Sequence, residues 1–169
     1  MVTDFIRARN VLAKRLEDVF TPDVFGVLYP ETEKVPKVFM GFPATEPPFY
    51  VAVDEIVDVA ATSGAATMGR DQVSFTLHAW VSAQHTELVK ASDAVLCYID
   101  AIFGSIMADP QLNRTVENAF PKIESAGTAA DSSKRHIAAA LIGIECTVWT
   151  GCQPLIAATV QASNGNVTS

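Results

Sequence analysis

The chain is poor in cysteine and in basic residues. Its three cysteines, Cys97, Cys146 and Cys152, include no Cys-x-x-Cys pair, which excludes the local thiolate clasp of a zinc ribbon or a redox motif. Cys97 on a helix and Cys146 in a strand are expected to be small buried hydrophobes. Twelve Lys and Arg stand against nineteen Asp and Glu, for a formal charge of −7, and the bases form no stripe. A dedicated nucleic-acid grip is excluded on that balance, because phosphate binding draws on clustered Lys and Arg that release counterions. The three histidines, His78, His85 and His136, lack the His-x-x-x-His spacing of a metal site. No apolar run of about 20 residues stands out as a membrane span. The opening Met1-Val2-Thr3-Asp4 carries an acid where a signal peptide carries bases, so cytoplasmic synthesis is the expectation.

Catalytic signatures are equally sparse. Gly64 and Gly69 have phosphate-loop spacing, yet Arg70-Asp71 stands where Lys-Ser/Thr would meet phosphate and magnesium, and an aspartate there repels a nucleotide. No Gly-x-Ser-x-Gly elbow occurs. Asp54, Glu55 and Asp58 form the densest acidic group. Strict alternation would set Asp54 and Asp58 on one strand face, where paired carboxylates serve acid–base or magnesium chemistry. No Lys or His lies between Lys37 and Arg70 to position a water, so a solvated strand face is the simpler reading. No cofactor and no metal are expected.

What the chain does have is strong patterning. Nearly half of its 169 residues are hydrophobic and 18% are charged, a globular composition long enough for one domain. From Gln72 to Ser82, Val73, Phe75, Leu77, Ala79 and Val81 alternate with Ser74, Thr76, His78, Trp80 and Ser82, a half-buried strand. The period then becomes helical: Leu88, Val95, Ile99, Ile102 and Ile106 make one stripe, with Thr86 as N-cap and Glu87 in the first turn. The helix ends near Asp109-Pro110. A strand over Arg114–Ser125, turn formers over Gly127–Ser133 and a last apolar strand over His136–Thr150 follow.

Upstream, Phe5, Ala8, Leu12, Leu16 and Val19 give a first helix capped by Thr3 and ending before Thr21-Pro22. Strands are expected over Val24–Tyr29, Lys37–Phe42 and Phe49–Ala61. The three prolines of Pro43–Pro48 suit an exposed connection, and Ser63–Asp71 reads as a loop. The result is an α+β domain over residues 1–150: a mixed, mainly antiparallel sheet of about five or six strands with two helices, 3 to 20 and 86 to 108, packed on one face. Residues 151–169 read as a C-terminal arm, frayed or ordered by adding a strand to a neighbour. Phe49, Tyr50, Trp80 and Trp149 lie beside polar residues, as interface aromatics do; with Arg70 and Asp71 they are the candidate interface.

The run of strand Val73–Ala83, helix Glu87–Leu112 and final strand Arg135–Gly151 resembles the C-terminal half of tail terminator (tail completion) proteins of long-tailed bacteriophages. The first helix and the middle strands resemble that family more loosely, so the likeness covers roughly residues 3 to 150. It implies a non-enzymatic virion protein that forms a homo-oligomeric ring, typically a hexamer, on the head-proximal end of the tail tube. Such a ring stops tube growth and meets the head–tail connector or head completion protein. The implied partners are further copies of the chain, the tail tube protein and the connector, with DNA only passing through and no membrane. Asp54, Glu55 and Asp58 would then be channel-facing acids. Another neck component is the nearest alternative, and a small metal-dependent hydrolase using Asp54, Asp58 and a histidine is the alternative from a different class.

Overall fold

The computed structural model describes residues 2–32, 34–62, 70–130 and 134–151. Helix α1 spans Val2–Val19 and α2 Phe25–Leu28; strands β1 (Lys37–Met40), β2 (Phe49–Thr62) and β3 (Arg70–His85) follow. Helix α3 covers Leu88–Ala108, and β4 (Asn118–Ala130) and β5 (His136–Gly151) complete the chain. The five strands form one sheet in the order β1-β2-β3-β5-β4, parallel only between β1 and β2. β5 runs antiparallel to both β3 and β4, so β3 and β4 are parallel to each other. That is the relation a long helix imposes by carrying the chain back along the strand it follows. The fold class expected from the sequence is the one observed.

Helices α1 and α3 occupy one face. Helix α3 packs on β3, β5 and β4, and α1 on β1, β2 and α3. The alternation read from β3 holds throughout: Val73, Phe75, Leu77, Ala79 and Val81 are buried toward the helices. β5 supplies Ala138, Ala140, Ile142, Ile144, Cys146 and Val148 to the same core. Phe5 of α1 meets Phe75 at a ring distance of 4.5 Å. Phe20, Phe25 and Tyr98 form a second aromatic knot, with Phe25 and Tyr98 rings 5.6 Å apart. The Tyr98 hydroxyl donates to the Lys34 carbonyl at 3.0 Å, so its polar end is satisfied inside the core.

Several boundaries differ from the sequence expectation. Val24–Tyr29 is not a strand, because the Thr21 carbonyl collects the amides of Val24, Phe25 and Gly26 and Pro22 favours helical entry. The chain therefore makes a single helical turn. Helix α3 starts one residue late, with Glu87 as an extended N-cap that makes no side-chain capping bond. The Glu87 amide instead donates to Nδ1 of His85 at 3.0 Å. Leu88, counted in the apolar stripe, is 41% exposed; Ala91, Ala94, Tyr98 and Ala101 complete the buried face. By length and composition α3 could also cross a membrane, which the sequence reading had not counted, but a core helix meets the same criterion.

Arg114 does not begin a strand. Leu112, Asn113 and Arg114 all have left-handed backbones, with φ of 45°, 56° and 63°. The turn is fixed by the Asp109 carboxylate, which accepts the amides of Gln111 and Asn113 at 3.2 and 2.9 Å, and by burial of Leu112. β4 opens four residues later and continues through Gly127–Ala130, expected as turn, in register with Ala139–His136. Arg70 and Asp71, expected in a loop, open β3 opposite Gly151 and Thr150. The remainder of that loop, Ser63–Gly69, and the arm beyond Gly151 lie outside the described residues.

Candidate interaction surface

With both long helices on one face, the opposite face of the sheet carries the candidate site. Alternation brings Thr76, His78, Trp80 and Ser82 of β3 to it. The pairing of Gln72 with Trp149, Thr76 with Glu145 and Trp80 with Leu141 places Trp149, Glu145 and Leu141 alongside. Phe120 joins through its pairing with Glu145. Trp149 is 45% and Phe120 55% exposed, large apolar side chains toward the end of the face away from Trp80 and Leu141. An exposed aromatic ring is most informative where others accompany it.

The connection between β1 and β2 crosses the other end of this face. Phe42 meets Trp80 at a tilt, with ring centroids 5.6 Å apart, and Phe39 meets Tyr50 edge-on at 6.5 Å. Tyr50 is consequently 5% exposed and Ser82 6%. Burial pushes the Tyr50 phenol up from its ordinary value, the Glu46 carboxylate adds to the rise, and a hydrogen bond to Ser82 opposes it. Tyr50 is thus covered by the chain's own Phe39 and loop. Trp80 is half-buried, with its outer side beside a groove of about 370 Å³ lined by Gly127, Ala129, Ile137 and Ala139. Phe49 points to the helix side, where it lines a cavity of about 570 Å³ with Lys34, His85, Asp93, Ala94 and Cys97. Arg70 and Asp71 are located by their strand pairing alone.

The acidic group is rearranged by the backbone. β2 carries two register shifts, between Val53 and Ile56 and between Val57 and Ala60, each a bulge that resets the alternation. Ile56 pairs with the buried Leu77 and packs on the core, where strict alternation had put it beside Asp54. Asp58 adopts φ 52°. Asp54 is half-buried, and Glu55 and Asp58 are exposed. The histidine that meets these acids is His78, 12% exposed, with Nδ1 3.6 Å from Glu55 and Nε2 3.1 Å from Glu124. The two carboxylates contact opposite ring nitrogens and so do not converge on one point. No group of three or more His, Cys, Asp or Glu among the described residues is placed to hold a metal ion.

Glu124 reaches His78 by lying across Gly143, where any Cβ would overlap its carboxylate. The sequence reading passed over both residues. The available signal was a glycine inside the apolar run Ile142-Gly143-Ile144, which marks close approach by another group. Beside this trio Lys122 donates to Glu145. That bond is the main reason its ammonium is held above the usual lysine value, with burial acting in the opposite direction and the charges of Glu145, Glu124 and Asp58 adding to the rise.

No protein-family model matches the chain, and no curated protein matches it. A chain of the solved virion of a native gene transfer agent (GTA) particle is similar to it with a TM-score of 0.35 and 12% identity, over 73% of this chain and 84% of that one.

The cysteines allow a direct check of the core. Cys146 is 1% exposed, and burial pushes its thiol up to about 12, so almost no nucleophilic thiolate exists at pH 8. Cys97, half-buried at the 570 Å³ cavity, is expected to alkylate in the native protein while Cys146 is labelled only in denaturant. Peptide mass mapping after brief iodoacetamide treatment measures this. Equal labelling of the two without denaturant would contradict the burial of β5.

Proposed function

We propose that this chain is a structural component of a phage-like particle, a tail terminator that caps the head-proximal end of the tail tube as a closed ring. The observation that carries the reading is the segment from Gln72 to Gly151, a strand, a long returning helix and a final hairpin, in the order tail terminators use. Two further features support it. One sheet face is left without a long helix and presents Trp149 and Phe120, side chains of the kind that anchor subunit contacts. The chain is also acidic, so DNA can pass through a ring of such subunits without being held.

On this reading capping is geometric: a bound ring removes the surface to which the next tube ring would add. Asp54, Glu55 and Asp58 would face the channel and have no covalent role. Trp80, Trp149, Phe49, Arg70 and Asp71 would serve subunit or axial contacts, with Tyr50 supporting them from within. A hexamer and docking of a head–tail connector are the finer parts of the proposal.

The test is assembly of the tail tube protein of the same particle with and without this chain, viewed by negative stain. Expected are tubes of bounded length carrying a ring of density at one end. Trp149→Ala should weaken ring or tube attachment about tenfold or more, with thermal unfolding nearly unchanged. Tubes of equal length with bare ends in both preparations would overturn the reading. Co-purification with heads instead of head-free tails would favour the neck-component alternative.

A further inference from the structure

We propose that the second half of β4 accepts an extended segment, residues 155–160, from a second copy of this chain, joining copies through an added sixth strand. This concerns contact between copies and does not depend on tube capping. Among the described residues β4 is the last strand of the sheet, so no described strand takes up the row of backbone N–H and C=O groups on its outer side. Natural edge strands are blunted by charge, proline, shortness or a covering element. The first half of β4 has such devices in Pro121, Lys122 and Glu124, and a bulge between Ile123 and Ser125. From there Ser125-Ala126-Gly127-Thr128-Ala129-Ala130 has no charge and no proline, and every one of these residues is exposed. The small side chains also leave open the groove beside Trp80, into which alternate side chains of an added strand can pack.

The chain carries a fitting occupant. Residues 155–160, Leu-Ile-Ala-Ala-Thr-Val, follow Pro154 in a stretch from Thr150 to Ser169 without a single charged residue. β-branched and small apolar residues suit pairing on a half-buried sheet, and main-chain bonds to an exposed edge are a general mode of peptide recognition. Reach decides that the segment comes from another copy. Ser125 is level with Leu141 and Ala130 with His136, about 33 and 50 Å back along β5 from Gly151. Leu155 of the same chain can lie at most about 14 Å from Gly151, and Val160 about 32 Å. It must also pass around β4, a further two strand spacings or about 10 Å. The apolar run therefore falls short of its own neutral edge.

The experiment uses the full chain. Sedimentation equilibrium of the wild type, Thr128→Lys and Ile156→Lys should show self-association weakened about tenfold or more by either substitution, with unchanged circular dichroism. In a background with Cys97→Ser and Cys152→Ser, Thr128→Cys and Ala157→Cys proteins should form an intermolecular disulfide when mixed and much less when oxidised separately. Cross-linking of Thr128→Cys protein to itself at least as fast as the mixed pair would mean that two β4 edges pair directly, and would overturn the assignment of the occupant. A wild type that stays monomeric at 100 μM, or association insensitive to both lysine substitutions, would overturn the proposal while leaving tube capping to its own test.

Discussion

Ile102→Ala is expected to lower the unfolding free energy by about 2–5 kcal/mol, the range for truncating a buried aliphatic side chain where the neighbours collapse only in part. Ile102 is 0% exposed on the face of α3 that packs across β3, β5 and β4, so the cavity would open between a helix and three paired strands that cannot all move inward. A domain of ordinary stability holds about 5–15 kcal/mol, which makes this one change a large fraction of the total. Leu88→Ala, on the same helix and of similar chemistry, should cost less than about 0.5 kcal/mol, because Leu88 is 41% exposed at the helix start. Urea denaturation of the two variants at pH 7 measures the contrast. Losses of similar size would mean that α3 is seated differently on the sheet.

That contrast also marks what the sequence could convey. β3 and β5 were legible because one face of each is buried along most of its length, so period 2 survives without interruption. α3 was legible because a stripe at helical period precedes a proline. The parallel relation of β3 and β4 is what the 21-residue helix between them imposes. What escaped was set by single backbone events. The Thr21 carbonyl turned a β-like run into a helical turn, and the first of the two bulges in β2 rotated Ile56 into the core. The Asp109 carboxylate fixed a left-handed turn whose last residue, Arg114, was expected to begin a strand. Each depends on a hydrogen bond or a partner distant in sequence, which periodicity does not encode.

The strand faces on which the two tryptophans lie were legible as well. Alternation alone placed Trp80 on the polar face of its strand and Trp149 on the face of Leu141 and Thr147, and pairing through β3 and β5 puts both on the face opposite the helices. That Tyr50 is closed off could not be read, because its cover comes from Phe39 and the crossing of residues 41–48, a matter of topology. His78 lay on the correct face, but its partner Glu124 is set by the bulge in β4.

The Arg15–Asp109 network should make stability depend on acid pH in a defined direction. Arg15 of α1 donates to the Asp109 carboxylate, to the carbonyls of Asp109 and Ser105 at 3.2 and 3.3 Å, and to Oδ1 of Asn113 at 3.0 Å. One guanidinium therefore ties the first helix to the end of α3 and to the left-handed turn that launches β4. The Arg15 bond, followed by the amide of Asn113, holds the Asp109 carboxyl below the usual carboxylate range, against a smaller opposing effect of burial. A depressed carboxyl contributes stability that is fully present above its unfolded value, near 3.9, and is lost as pH falls through the folded value. Arg15→Ala should cost about 1–3 kcal/mol at pH 7, the scale of hydrogen bonds to a charged group. Asp109→Asn should lose the acid-dependent part alone. The stability difference between wild type and Asp109→Asn is thus expected to shrink as pH drops from about 5 toward 2, and the two substitutions should be non-additive by more than about 0.5 kcal/mol, as for residues in direct contact. Denaturation curves of the two single variants and the double variant across that pH range decide it. A difference that stays constant with pH, together with strict additivity, would mean that the bridge contributes nothing to joining α1 to the β4 turn.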